Sequence, residues 1–317
     1  MHNWEPITES ILSAQKILIF THMNMDGDAA GSSCALCRSF RQMGKESYIL
    51  VEDKCADYLQ FLDCGMFTKK APWEPDLCLA VDCSDDSRIE KRKDVFHGAP
   101  VTACIDHHMS GEPFADVSVV DPKAPAAGSL VFEFLRAMNA PIDKEIAEAL
   151  YVAIATDTGS FRHGNSTPEA LRNAADLYDY GIDAVDLNNR IYSSYPLAQL
   201  KLEALAVDRA ELFAGGKAVL SWSTPEDLKR LGALEEHTEC CIDRLRSIAG
   251  VEVAAFLKER ADGSIKVSFR SKSYADVNTV ARKFDGGGHL RASGCTLHCS
   301  LEEAKAVIRA ALEESLA

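Results

Sequence analysis

His22-Met23-Asn24-Met25-Asp26-Gly27-Asp28 and Asp106-His107-His108 gather hard metal ligands more densely than the rest of this chain. Each cluster follows a short aliphatic run, Lys16-Ile17-Leu18-Ile19-Phe20 before the first and Val101-Thr102-Ala103-Cys104-Ile105 before the second. A third run, Leu77-Cys78-Leu79-Ala80-Val81, ends on the isolated carboxylate of Asp82. Mixed imidazole and carboxylate ligation suits Mn2+, Co2+, Fe2+ or Zn2+ better than Ca2+. Two such cations roughly 3.5–4 Å apart can share a carboxylate and a hydroxide and stabilise an in-line displacement at phosphorus. Asp82, standing alone at the end of a middle strand, is the natural bridging candidate. Gly27 allows a sharp turn that would let Asp26 and Asp28 face neighbouring cations, and His22 could close on the same site. An isolated Asp-Gly-Asp is more often a solvated turn. Acids and imidazoles at three strand ends argue for a metal centre instead.

A fourth element fits the same plan. Glu148–Ala155 reads as a buried helix, with Gly159 as its stop and Asp157 just before that stop. Such an aspartate can be a turn residue bonded to its own backbone. Beside five other candidate ligands, it is the expected remaining ligand of a second cation.

These residues need a scaffold that brings strand ends to one edge. The expected order is strand 16–20, helix Ala29–Met43, strand Ser47–Val51, a helix near Tyr58–Leu62, then strands 77–81, 101–105 and 117–120. Helices Ala127–Met138, Lys144–Ala155, Pro168–Tyr180 and Ala184–Ile191 follow, the third with Thr167 as N-cap and Pro168 at its first position. Alternating strands and helices predict an α/β fold, a doubly wound and mainly parallel sheet. In such a sheet the functional crevice lies beyond the carboxyl ends of the strands. Tyr192-Ser193-Ser194-Tyr195-Pro196 looks like the break between domains, followed by a helix over Leu197–Leu212. The expected division is 1–191 for the metal-binding domain, 192–214 for the linker and 215–317 for a smaller α+β domain. In the latter, strands 218–222, 251–258 and 264–270 are expected, the last two joined at the turn Asp262-Gly263, with helices 277–284 and 301–311.

At 317 residues the chain can bury two cores, and 47% hydrophobic with 26% charged residues is ordinary for a globular protein. No apolar run approaches the ~20 residues of a membrane span, and the amino terminus lacks a basic then apolar leader pattern. A cytoplasmic protein with no membrane partner is expected. The eleven cysteines are odd in number and widely scattered, and Cys34-Ala35-Leu36-Cys37 falls inside a helix. Buried free thiols account for them better than disulfides or zinc. A net charge of −14 argues against binding long duplex nucleic acid, which needs a basic surface. The stretch 251–295 runs against the trend, with eight basic against five acidic residues. It suits small phosphorylated ligands.

Within that stretch, Asp285-Gly286-Gly287-Gly288-His289-Leu290-Arg291-Ala292-Ser293-Gly294 stands out. Three consecutive glycines mark a backbone that must approach something closely. They can be a surface turn, or a nest of amides around a phosphate. His289 and the basic surroundings favour ligand binding.

Taken together, these motifs resemble the DHH phosphoesterase family, named for Asp106-His107-His108. The segment His22 to Ser32 resembles the family's opening signature, with Met25 where many members carry proline. Asp82, and Asp157 within Thr156-Asp157-Thr158-Gly159, match its other core motifs, and the glycine run resembles its accessory carboxy-terminal domain. Length and layout are most like the branch that hydrolyses short oligoribonucleotides and 3′-phosphoadenosine 5′-phosphate. The resemblance implies a hydrolase with two divalent cations, expected to be Mn2+. His22, Asp26 and Asp82 would hold one, and Asp28, Asp82, His107 and Asp157 the other. Asp106 would orient a ligand, and His108 would contact the scissile phosphate or the bridging water. Asp82, Asp106, His107 and His108 form the catalytic set that this implies. Arg270, Gly287, Gly288, His289 and Ser293 would bind substrate, the partners being short RNA and small nucleotide phosphates. A homodimer is plausible. The alternatives are an inorganic pyrophosphatase of the related family and a non-catalytic nucleotide- or RNA-binding protein.

Overall fold

The structure, a computed structural model, describes residues 2–108 and 114–316, and the side chain of His289 lies outside the described set. It divides into two compact units, Met1–Ser194 and Tyr195–Ala317.

The first unit is built on a six-stranded sheet in which every pair is parallel. Its strands are β1 (Lys16–Phe20), β2 (Glu46–Leu50), β3 (Phe67–Thr68), β4 (Leu77–Val81), β5 (Val101–Asp106) and β6 (Val117–Val120), in the spatial order β3-β2-β1-β4-β5-β6. Helices α1 (Glu5–Ser13), α2 (Gly27–Gln42), α3 (Lys93–His97), α4 (Ala127–Ala137), α5 (Lys144–Asp157), α6 (Pro168–Tyr178) and α7 (Ala184–Tyr192) belong to this unit. Along β1, Ile17 and Ile19 join one apolar cluster while Leu18 and Phe20 join another on the opposite face. A strand buried on both sides reads as a continuous aliphatic run, which is why the three β-runs were legible. The order reverses between β1 and β4, and there the strand ends leave a crevice. His22 follows β1 and Asp82 follows β4.

Several boundaries differ from expectation. Helix α2 begins at Gly27 rather than Ala29, because the Asp26 carboxylate caps it by accepting the amides of Asp28 and Ala29. Asp28 therefore sits in a first helical turn, not in a loop. Gly27 serves contact rather than a sharp turn: a Cβ there would lie 2.3 Å from Thr156 Oγ1 on α5. Gly31, one turn on, would bring a Cβ to 2.3 Å from the Ala149 carbonyl oxygen. Glycine at both positions lets α2 and α5 meet closely, which brings Asp28 and Asp157 together. Residues Asp57–Leu62 form a 3-10 turn instead of an α-helix.

The second unit holds α8 (Leu197–Asp208), β7 (Glu211–Phe213), β8 (Ala218–Ser223), α9 (Pro225–Leu231), α10 (Cys241–Arg246), β9 (Val253–Glu259), β10 (Ile265–Ser271), α11 (Val277–Arg282), β11 (Gly287–His289), β12 (Ala292–Leu297) and α12 (Leu301–Leu316). Its mixed sheet has the order β11-β12-β10-β9-β8-β7, with β8 and β9 parallel and the other pairs antiparallel. The β9–β10 hairpin closes at Asp262-Gly263, where Gly263 takes a φ of +80°. Helix α8 stops at Asp208, four residues short of expectation, and the chain turns into β7, which pairs with β8. Leu202 and Ala206 of α8 pack against Val219 and Phe256, so this helix belongs to the second core. All eleven cysteines are free thiols, eight of them buried. Among the described residues, no helix is long and apolar enough to cross a membrane.

Candidate metal centre

The crevice at the β1/β4 reversal collects the acids and imidazoles singled out above. His22 Nε2 stands 3.6 Å from Asp26 Oδ1 and 3.6 Å from Asp82 Oδ2. His107 Nε2 stands 3.5 Å from Asp82 Oδ1, 3.6 Å from Asp28 Oδ2 and 3.9 Å from Asp157 Oδ2. Asp82 thus turns one oxygen to each group. Three overlapping sets, His22/Asp26/Asp82, Asp28/His107/Asp157 and Asp82/His107/His108, are each compact enough to hold a cation. Separations of this size exceed an ordinary hydrogen bond. They suit atoms that each lie about 2.0–2.2 Å from a shared ion.

The surroundings aim the ligand atoms. Nδ1 of His22 lies 2.6 Å from the Met23 carbonyl and Nδ1 of His107 lies 3.2 Å from that of Ala124. A carbonyl only accepts, so each Nδ1 carries a proton, and each Nε2, facing the carboxylates, is the nitrogen that would ligate a cation. Asp28 is fully buried, and the first amides of α4 donate to it: Ala127 to Oδ2 at 2.7 Å and Gly128 to Oδ1 at 2.9 Å. The Ser32 hydroxyl adds a third bond at 3.0 Å. Asp82 takes a left-handed backbone, φ +55°, uncommon for a residue with a Cβ and typical of functional strand ends. Asp106 is buried and accepts from His108 Nδ1 at 2.8 Å. Among the described residues, His108 Nε2 has no hydrogen-bond partner.

Crowding shifts six of these groups. Burial lowers the His22 and His107 imidazoles, but contacts with Asp26 and Asp82, and with Asp82, Asp28 and Asp157, outweigh it and push both up to about 10. Burial raises Asp82, but the two imidazoles override it and hold the carboxyl well below the usual range. Burial, with Asp82 and Asp157 nearby, pushes Asp28 well above that range. Burial carries Asp157 to about 6, with His107 opposing and Asp82 and Asp26 reinforcing. The hydrogen bond to Asp106 raises His108 against the effect of its burial. A site that needs bound protons to balance its carboxylates is one that divalent cations can neutralise.

Sequence reasoning missed Asn165, whose side-chain amide lies 2.8 Å from Asp157 Oδ2. No motif marks it; only the fold brings it back eight residues to the carboxylate.

The expected substrate groups lie in the second unit. Gly287–His289 is an edge strand paired with Ala292–Leu297, in place of the expected loop. The glycines permit close strand packing: a Cβ on Gly288 would meet the Ala292 carbonyl oxygen at 2.5 Å, and one on Gly286 that of Gly294 at 2.3 Å. As an edge strand, β11 leaves one row of backbone groups unpaired by any neighbouring strand. Ser293 is buried and its hydroxyl donates to the Val277 carbonyl at 2.6 Å, which commits its proton within the unit. Among the described residues, Arg270 bonds only the carbonyl of its own neighbour, Phe269. The excess of basic residues here is largely internal: Lys258 and Lys266 pair with Glu239, Lys283 with Glu314, and Arg291 with the carbonyls of Ala275 and Ser273.

Residues 16–154 match the DHH family, N-terminal domain, and residues 235–316 match the DHHA1 domain. The chain belongs to the DHH phosphoesterase family. It is 33% identical over 308 residues to the bifunctional oligoribonuclease and PAP phosphatase NrnA of Thermus thermophilus, covering 95% of this chain and 90% of that protein. The protein of the same name from Bacillus subtilis is 28% identical over 295 residues, 92% of each chain. Among solved structures, an exopolyphosphatase-related protein from Bacteroides fragilis matches with a TM-score of 0.93 and 28% identity, over 99% of this chain and 96% of that one.

Proposed function

We propose that this chain is a two-cation phosphoesterase that hydrolyses short RNA oligonucleotides and 3′-phosphoadenosine 5′-phosphate, with Mn2+ as its working metal. The observation that carries this reading is the division of the Asp82 carboxylate, Oδ2 toward His22 and Oδ1 toward His107. The names of the relatives supply the substrates.

The donor set fits the cations: Nε2 of two imidazoles converges with four carboxylates, each ring is fixed through its Nδ1, and Asp28 is held by two backbone amides. His22, Asp26 and Asp82 would hold one ion, and Asp28, Asp82, His107 and Asp157 the other. When bound, the pair would supply positive charge opposite the phosphoryl oxygens and an acidified water. Asp26 keeps α2 capped while turning to its ion, and α4 holds Asp28 rigid through two amides. Asp106 fixes the His108 ring by Nδ1, which leaves Nε2 to meet the scissile phosphate and hold a proton for the leaving oxygen. Residues 1–191 are assigned the chemistry and 215–317 the substrate's terminal phosphate. Arg270 and His289 are the second unit's groups for that phosphate, on strands β10 and β11 to either side of β12.

The test is release of mononucleotide or phosphate from a 5′-phosphorylated RNA dinucleotide, a long RNA strand, 3′-phosphoadenosine 5′-phosphate and pyrophosphate, with Mn2+ and then with chelator. Turnover of the dinucleotide and the bisphosphate, abolished by chelation, supports the assignment. A preference for pyrophosphate, or no turnover at all, overturns it.

A further inference from the structure

The chain beyond Asp157 doubles back in an unusual way. Gly159, Ser160 and Phe161 take φ values of +57°, +57° and +61°, three left-handed residues in succession. Glycine adopts this region freely, but serine and an aromatic residue there store strain, which structures tolerate mainly at functional sites. The reversal is closed by amides of Arg162 and His163, both donating to the Thr158 carbonyl, at 2.9 and 3.0 Å. It ends where Thr167 caps α6 by accepting the Ala170 amide. Asn165 is thereby pinned between two fixed points.

Its side-chain amide reaches three oxygens. Nδ2 lies 2.8 Å from Asp157 Oδ2, 3.2 Å from the Asp157 carbonyl and 2.8 Å from the Pro125 carbonyl. Oδ2 is also the oxygen that faces His107 at 3.9 Å. A carboxylate oxygen has two lone pairs, so one accepts the Asn165 N–H and the other is left for a cation. Pro125 lies just before α4, whose first amides hold Asp28. One amide group therefore ties Asp157 to the segment that supports Asp28.

We infer that Asn165 is a positioning residue that sets the orientation of Asp157 and its spacing from Asp28, and so the affinity for one of the two cations. The inference rests on the two-cation reading above. It names a group outside every ligand set, and outside the motifs that carried the family resemblance.

The experiment is Mn2+ titration followed by electron paramagnetic resonance of the free ion, on the whole chain and its Asn165→Ala, Asn165→Leu, Asp157→Ala and Asn188→Ala variants. Loss of a supporting bond to a ligand typically weakens metal affinity about 10–100-fold. Asn165→Ala is expected to weaken one of two sites by that factor and leave the other unchanged. Asn165→Leu preserves the side chain's size without its donor and is expected to match it, which covers the case where alanine fails to fold. Asn188 donates to the Tyr151 hydroxyl instead, so its loss should leave both sites intact. In the Asn165 variants the Mn2+ concentration that half-saturates activity should rise. If Asp157→Ala weakens a site and neither Asn165 variant does, the inference fails while the two-cation reading stands. If the unaltered chain binds fewer than two Mn2+, or Asp157→Ala weakens neither, the underlying reading fails instead.

Discussion

The Gly128 amide donates to Asp28 Oδ1 at 2.9 Å, so α4 is capped by a carboxylate roughly a hundred residues away in the chain. The four free amides at a helix start attract negative charge. Here they both satisfy α4 and hold a buried acid whose charge would otherwise be costly. A Cβ on Gly128 would lie 2.5 Å from the Ala153 Cβ and 3.4 Å from Asp28 Oδ1. Gly128→Ala must therefore push α4 from α5 and loosen its grip on Asp28. Overpacking of this kind costs about 1–3 kcal/mol. Urea unfolding with and without Mn2+ should show a loss in both conditions, larger with Mn2+. A midpoint equal to wild type would mean the helices part freely.

Asp82 and Asp26 should differ in kind. Asp26 faces one imidazole, whereas Asp82 faces His22 through one oxygen and His107 and His108 through the other. Asp82→Asn is expected to lose both cations, and Asp26→Asn one. Removing metal stabilisation worth several kcal/mol corresponds to roughly a thousand-fold or greater loss of turnover for Asp82→Asn. Metal content by mass spectrometry after dialysis decides the matter; equal stoichiometry in the two variants would refute the shared role.

Cation uptake should release protons. In the cation-free protein His22 and His107 are pushed up to about 10, above the ordinary value of 6.5, so both rings are protonated at neutral pH. Metal binding needs the neutral rings. Raising the pH should therefore tighten Mn2+ binding, by up to about two decades per unit if both protons leave. The cation-free fold behaves oppositely: these raised groups stabilise it fully below 6.5, and that contribution fades as the pH climbs through about 10. Calorimetry in buffers of different ionisation enthalpy counts the protons, and zero release would contradict the geometry.

The second unit carries its own acid-labile group. Glu252 is 5% exposed and accepts the amides of Ser273, Tyr274 and Ala275 and the Ser273 hydroxyl. Burial opposes its charge, but these bonds win and lower it from 4.5 to about 2. Its stabilisation is whole above pH 4.5 and lost as the pH falls through about 2. Glu252→Gln should cost on the order of 3 kcal/mol at pH 7 and progressively less under acid. Denaturant unfolding across pH 7 to 3 reads this directly, and a pH-independent deficit would assign the cost to shape alone.

The candidate site of the first unit was visible in the sequence because its acids and imidazoles sit at strand ends, and strands buried on both faces announce themselves as aliphatic runs. Periodicity therefore located β1, β4 and β5, and the residues that follow them, His22, Asp82, Asp106, His107 and His108, came with them. Asp157 was reachable because Gly159 marks a helix stop. The second unit was harder. A glycine run has the same composition whether it cradles an anion or lets two strands touch, and the neighbouring Ala292 and Gly294 carbonyls, visible only in the fold, explain Gly288 and Gly286 but not Gly287. A basic stretch likewise counts as positive until its acidic partners, Glu239 and Glu314, are placed in space.

The candidate ligands and their places at strand ends were thus properties of the local sequence, since residue type and period are local quantities. Which oxygen of Asp82 faces which imidazole, the α4 amides on Asp28, and the return of Asn165 to Asp157 belong to the tertiary structure alone. Each depends on segments eight to a hundred residues apart arriving at a fixed separation, and hydrogen bonds and metal ligation respond to tenths of an ångström that no spacing in the chain encodes.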